Sequence, residues 1–198
     1  PPPPGSDVYK PNYFQPQTMR VVTESGQPRY CMLEPSGNTK YFDKTTGRIE
    51  AVAGQCGNRT NYSYDSSNKV SSIATAFDDG ANKYEYTWSG EQISEVLYKV
   101  GGEPVTKAVY AYDASGNLKT IKIYHNSATG STPVWGSPAS ATLYSYHADG
   151  RIRHIVPPVK YRQMVNNGIT PESATESQLN EFAATEYFYD GDRVSLMY

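Results

Sequence analysis

Few residues in this chain are placed to do chemistry. There are three histidines, His125, His147 and His154. His147 and His154 fall on the two arms of one expected hairpin, and with Asp149 they come closest to a metal-ligand set. A zinc site needs at least three such ligands converging on one point. Asp78 and Asp79 precede Gly80, which is turn chemistry rather than a carboxylate pair set across a cleft. Asp113-Ala114-Ser115-Gly116-Asn117 has the outline of a calcium loop but lacks the alternating acidic ligands and the terminal Glu. No G-x-S-x-G, H-E-x-x-H or phosphate-cradling glycine loop occurs. The expectation is a non-enzymatic chain with no catalytic residue, no metal and no cofactor.

The two cysteines, Cys31 and Cys56, are not in a zinc-type spacing. They are a disulfide candidate, which the chain-entropy model rates at roughly 3–3.5 kcal/mol and which would imply an oxidising compartment. The alternative is a pair of buried free thiols. Aromatic side chains carry the remaining functional pull. Trp88 sits in a turn-like Thr-Trp-Ser-Gly segment and Trp135 in a polar loop. Exposed rings stack on sugars or anchor interfaces. Trp88 and Trp135, with Tyr9, Tyr13 and Phe14 near the N-terminus, are the candidate ligand or partner contacts. Most other tyrosines are expected to pack as amphipathic core.

The elements that position these residues follow from composition. The chain has 18 Tyr, 16 Gly and 14 Pro among 198 residues. Strand formers joined by turn formers point to an all-β fold. The net charge of -2 is made of scattered charges. That argues against nucleic acid, which needs a basic stripe, and against a polybasic membrane patch. No apolar run approaches the ~20 residues of a membrane span, so membrane insertion is not expected. Residues 1–16 are rich in Pro and aromatics and read as an extended arm or linker. Residues 17–198 read as a single β-repeat domain.

One pattern recurs through that domain: aromatic, any residue, aromatic, Asp, a Gly or Asn turn, then two aliphatics three apart. Tyr110-Ala-Tyr112-Asp113-Ala-Ser-Gly116-Asn-Leu118-Lys-Thr-Ile121 is the cleanest copy. Tyr62-Ser-Tyr64-Asp65 leads to Val70 and Ile73. Tyr144-Ser-Tyr146-His147 leads to Ile152 and Ile155. Variants begin at Tyr41-Phe42-Asp43, Tyr84-Glu-Tyr86-Thr87 and Tyr187-Phe-Tyr189-Asp190. Each copy is a hairpin: alternation places both rings on one face, Asp caps the turn, and Gly or Asn takes the positive φ. Aliphatics three apart cannot share a face of a regular strand. Either a bulge intervenes or both faces are partly covered. Residues 171–184 are expected to form one peripheral helix, with Thr170 as cap, or with Ser173 and Glu176 as an alternative capping box.

These copies resemble the YD repeat of the RHS family, carried here by Tyr64-Asp65, Tyr112-Asp113, Tyr189-Asp190 and, more loosely, Phe42-Asp43. Thr87 and His147 depart from the pattern. The resemblance implies an antiparallel meander of about six YD-like hairpins and transfers no catalytic residue. Large RHS proteins wind many such repeats into a shell enclosing a toxin, and six copies are too few for that. The expectation is a structural subunit of an extracellular assembly (a surface fibre, appendage or virion component) that self-associates, or joins other subunits, through its N-terminal arm and sheet edges. A glycan- or receptor-binding module on a cell surface or tail fibre is the alternative.

Overall fold

The computed structural model describes residues 8–9, 18–24, 26–75, 82–128 and 132–197. The first strands are Val8–Tyr9 (β1), Thr18–Glu24 (β2), Gln27–Leu33 (β3), Thr39–Asp43 (β4) and Ile49–Ala53 (β5). Then come Arg59–Tyr64 (β6), Val70–Thr75 (β7), Lys83–Ser89 (β8), Gln92–Val100 (β9) and Glu103–Tyr112 (β10). The last are Leu118–His125 (β11), Ser140–Tyr146 (β12), Ile152–Val156 (β13), Thr185–Asp190 (β14) and Arg193–Met197 (β15). Two helices, Pro158–Asn166 (α1) and Glu176–Phe182 (α2), lie between β13 and β14. The strands form an open antiparallel meander in which sheet order is sequence order from β1 to β15.

The spacing of the aliphatics is explained by a bulge in five of the repeat hairpins. Tyr62 lies opposite Ile73, but Tyr64 lies opposite Val70, because the register shifts after Ser63. Ser71 is the extra residue. The same shift occurs between Ala111 and Tyr112 and between Ser145 and Tyr146. It recurs between Tyr41 and Phe42 and between Phe188 and Tyr189. One extra residue returns both aliphatics to the face of the rings. Each aromatic of the repeat therefore sits across from an aliphatic on one face, the favourable cross-strand pairing.

The chain divides into two compact units. The first holds residues 1–85 and 99–103. One face of its strands carries Tyr30, Phe42, Ile49, Tyr62, Tyr64 and Ile73. The other is largely polar, with Arg29 paired to Glu50 at 2.7 Å and Lys99 to Glu85 at 2.9 Å. Cys31 and Ala51 are buried on that second face. Val8–Tyr9 pairs with Met19 and Arg20 of β2, so this part of the expected arm joins the chain's own sheet.

The second unit holds residues 86–98 and 104–198. Its rings Tyr110, Tyr112, Tyr144, Tyr146 and Tyr189 occupy one face with Leu118, Ile121 and Ile152. The two helices pack on the opposite face. Ala141, Leu143 and Val156 of the sheet meet Tyr161 and Met164 of α1 and Phe182 of α2 in one buried cluster. Met164 and Val156 are fully buried.

The helical insert differs from the expected single peripheral helix. α2 occupies part of residues 171–184, preceded by a 3₁₀ turn at Pro171–Ser173. Its cap is Thr175, in a reciprocal capping box with Gln178. Thr170 caps only the 3₁₀ turn, without a side-chain bond. α1 is additional, and with α2 it supplies half of the buried cluster. Pro158 starts it at a position that needs no N–H. Gly168, at φ +72°, ends it, with the Ile169 N–H returning to the Met164 carbonyl at 3.0 Å.

Candidate functional site: an inter-repeat clasp

The repeat is built around its turn. Asp113 Oδ1 accepts the backbone N–H groups of Ser115 at 2.9 Å and Asn117 at 2.8 Å. Asp65 Oδ1 does the same for Ser67 at 2.8 Å and Lys69 at 2.9 Å. Asp43 Oδ1 takes Thr45 and Thr46 instead. At Asp43 and Asp113 the donors favour the charged carboxylate. The Thr46 hydroxyl leads in lowering the pKa of Asp43, and the Asn117 side-chain amide leads for Asp113.

The copy with His147 in place of Asp keeps the turn. The Gly150 N–H still bonds the His147 carbonyl at 2.9 Å, while Asp149 accepts the Arg151 N–H at 3.1 Å. The freed imidazole reaches onward instead. Its Nε2–H donates to the Tyr187 carbonyl at 2.9 Å, and its ring meets Tyr189 edge-on at 5.6 Å.

What joins one hairpin to the next is the hydroxyl of the repeat's second tyrosine. Tyr64 donates to the carbonyl of Ile49 at 2.7 Å and Tyr112 to Ile93 at 2.9 Å. Tyr146 donates to Leu118 at 2.7 Å and Tyr189 to Ile152 at 3.0 Å. Each acceptor is the first aliphatic of the preceding hairpin. At two of these joints an arginine just before the aliphatic also lies over the ring. Arg48 is 5.3 Å from the Tyr64 centroid, and Arg151 is 4.3 Å from that of Tyr189. Hydroxyl and guanidinium together clasp the incoming tyrosine, a cation–π contact added to a hydrogen bond. The sequence pattern marks these rings as strand core and does not reveal the partners of their hydroxyls. The signal was present: 18 Tyr against 5 Phe is a bias that burial of apolar area alone does not require.

The most enclosed polar cluster ties α2 to the sheet. His154 is 1% exposed. Its Nε2 faces Asn180 Oδ1 at 2.7 Å and Glu186 Oε1 at 3.3 Å. Both are acceptors, so Nε2 carries a proton, while Nδ1 shares a hydrogen bond with the Ser145 hydroxyl at 2.7 Å. Arg153 adds ion pairs to Glu176 and Glu186. His147 and His154 are thus committed to different partners. Asp149 is held by Arg151 at 2.5 Å. No metal-binding group of three such side chains occurs among the described residues.

A concavity of about 560 Å³ is lined by Asp113, Lys119, Ser145 and Asp149, and both of its aspartates are engaged in their own turns. A second, of about 360 Å³, lies between α1 and the segment before β12. Beside it, Glu172 accepts the Tyr161 hydroxyl at 2.6 Å and pairs with Lys122 at 2.5 Å. Burial, followed by the bond to Glu172, pushes the Tyr161 phenol up to about 12.

The sequence-derived contacts are not brought together. Trp88 is half-buried within β8 rather than in a turn. Trp135 is half-buried, bridged to Asn126, with Lys107 Nζ 5.0 Å above its ring. Asn126 pins this loop by accepting the Ala128 and Val134 N–H groups, both at 2.9 Å. Tyr9 enters β1, while Tyr13 and Phe14 lie outside the described residues. The disulfide expectation is corrected: Cys31 and Cys56 are both free. Cys31 is in β3 and Cys56 in the turn after β5. Two strand spacings of roughly 4.8 Å already exceed the ~7 Å Cα limit for a bridge. Two free thiols give no support to an oxidising compartment.

No family model and no curated protein matches the chain. Among solved structures it is similar to the TcdB2-TccC3-Cdc42 complex at 10% identity and a TM-score of 0.26, over 71% of this chain and 11% of that one. A structure of TarM matches at 13% identity and a TM-score of 0.21, over 71% of this chain and 20% of that one. A TarM variant of S. aureus, in complex with Fondaparinux, alpha-GlcNAc-glycerol and UDP, matches at 11% identity and a TM-score of 0.21. It covers 75% of this chain and 24% of that one. The chain thus spans a quarter or less of each of these structures.

Proposed function

We propose that this chain is a structural repeat module, a strip of YD-like hairpins whose work is to extend and join a β-wall through its sheet edges. The observation that carries this reading is the repeated clasp. One joint, a tyrosine hydroxyl on the preceding hairpin's carbonyl, recurs at four places. Investment in identical joints suits a part made to be continued. The open meander supports the same reading, because edge strands present unpaired backbone groups that another chain can complete.

The test is native mass by light scattering over a wide concentration range, for the intact chain and for residues 17–198. The intact chain is expected to form concentration-dependent oligomers. Removing residues 1–16 also removes β1, which is expected to change the assembly by altering that edge. A chain that stays monomeric at every concentration, with or without residues 1–16, would sink the reading.

A further inference from the structure

The two longest connections between paired strands are residues 126–139, between β11 and β12, and residues 157–184, between β13 and β14. Both belong to the second unit. Neither length is needed to pair strands, since β10 with β11 and β12 with β13 close through short turns. The two connections meet. Arg162 of α1 donates to the Ala139 carbonyl at 3.1 Å. From the 3₁₀ turn, Glu172 reaches Lys122 of β11 at 2.5 Å. The groove of about 360 Å³ lies where they meet, so it is made by the two segments that depart from the repeat.

Its volume falls within the range of small-ligand sites, roughly 300–1,000 Å³. Much of its lining is apolar: Pro138 and Ala141 from the sheet side, Pro158 and Val165 from α1. Its charges do not balance. Lys122 and Glu172 offset each other, and the Tyr161 hydroxyl donates to the same Glu172 oxygen at 2.6 Å. Arg162 is exposed, and among the described residues its guanidinium meets a backbone carbonyl but no carboxylate. α1 itself carries Lys160 and Arg162 and no acidic residue. The groove therefore joins apolar walls to one uncompensated positive charge, on a side chain whose planar fork matches a carboxylate.

We propose that this groove binds a small amphipathic carboxylate, an acyl or aryl acid. Its apolar part lies between α1 and residues 138–141, and its carboxylate takes the Arg162 guanidinium. Lys122 is the weaker anchor, because Glu172 already holds it. The same molecule as a neutral amide fills the same space without the charge, so the site prefers the acid. This inference goes beyond the structural role. The groove uses neither edge of the sheet, so ligand binding and self-association can each fail without the other.

The probe is 4-phenylbutyrate, with 4-phenylbutyramide as its neutral counterpart, titrated into the isotope-labelled full chain. Backbone amide resonances are followed by nuclear magnetic resonance. Saturable shifts at residues 139–141 and 159–165 are expected with the acid, and about 10-fold weaker binding with the amide. Arg162→Gln is expected to weaken the acid about 10-fold and to erase its advantage over the amide, whereas Arg162→Lys keeps a charge and part of that advantage. Val165→Trp is expected to fill the groove and weaken both probes. Arg162 is exposed and Val165 is 51% exposed, so these variants are expected to fold, with an unchanged urea midpoint as the check. Absence of shifts around the groove at the highest concentration of acid overturns the site. So does equal binding of acid and amide to the unaltered chain, or an affinity for the acid that Arg162→Gln leaves unchanged.

Discussion

Tyrosine and phenylalanine rings pack alike, so the difference between Tyr112 and Phe42 is one hydroxyl. At Tyr112 it reaches the Ile93 carbonyl at 2.9 Å. Tyr112→Phe leaves the ring and removes the donor, at a cost of about 1 kcal/mol, measured as a lower urea midpoint with an unchanged slope. The turn aspartates give a second, pH-dependent expectation. Hydrogen bonds hold the carboxylates of Asp43 and Asp113 below the usual range. Their contribution is fully present above about pH 4 and is lost as pH falls through the lowered native values. Asp113→Asn keeps an acceptor oxygen, and its stability is expected to change less with pH across that window than that of the unaltered chain. The aspartates were legible in the sequence, because a residue before a Gly or Asn turn has one obvious task. The hydroxyls were not, since their partners are backbone carbonyls about fifteen or more residues away, and backbone carries no sequence mark.

At the level of elements, the bulge illustrates the same boundary. Two aliphatics three apart required either a bulge or two half-covered faces, and only pairing such as Tyr64 with Val70 decides for the bulge. The helices divide similarly. The capping box of α2 carries a sequence signature in Thr175 and Gln178, although Thr170 and Ser173, a few residues earlier, offer competing caps in the sequence. α1 is hard to see because only Tyr161 and Met164 are buried along it, and two positions make no periodic stripe. Its punctuation, Pro158 at the start and Gly168 at the end, was the usable signal. Thr175→Ala is expected to cost about 1 kcal/mol and Met164→Ala about 2–5 kcal/mol in thermal or urea unfolding. The phenol of Tyr161, raised to about 12, gives a spectroscopic handle. Its contribution is fully present below pH ~10 and is lost as pH rises from there through the raised value of about 12. Ultraviolet titration of Tyr161→Phe should therefore lose a late-ionising component that the unaltered chain shows.

Over the whole molecule, protection is expected to follow burial. Leu143 and Val156 lie in the cluster under the helices, whereas β15 carries the exposed Val194. Amides of β12 and β13 should therefore exchange slowest and those of β15 fastest. Uniform protection across these strands would contradict that gradient. Sheet order has a kinetic consequence as well. Each strand pairs only with its sequence neighbours, so most closures bridge a few turn residues, and hairpins close in roughly 1–10 μs. β-proteins usually fold slowly because distant segments must first find each other. Here the widest gap between paired strands is the helical insert, from Val156 to Thr185. Docking of the insert should set the pace of refolding, while a chain emerging from the ribosome can complete its earlier pairings one strand at a time.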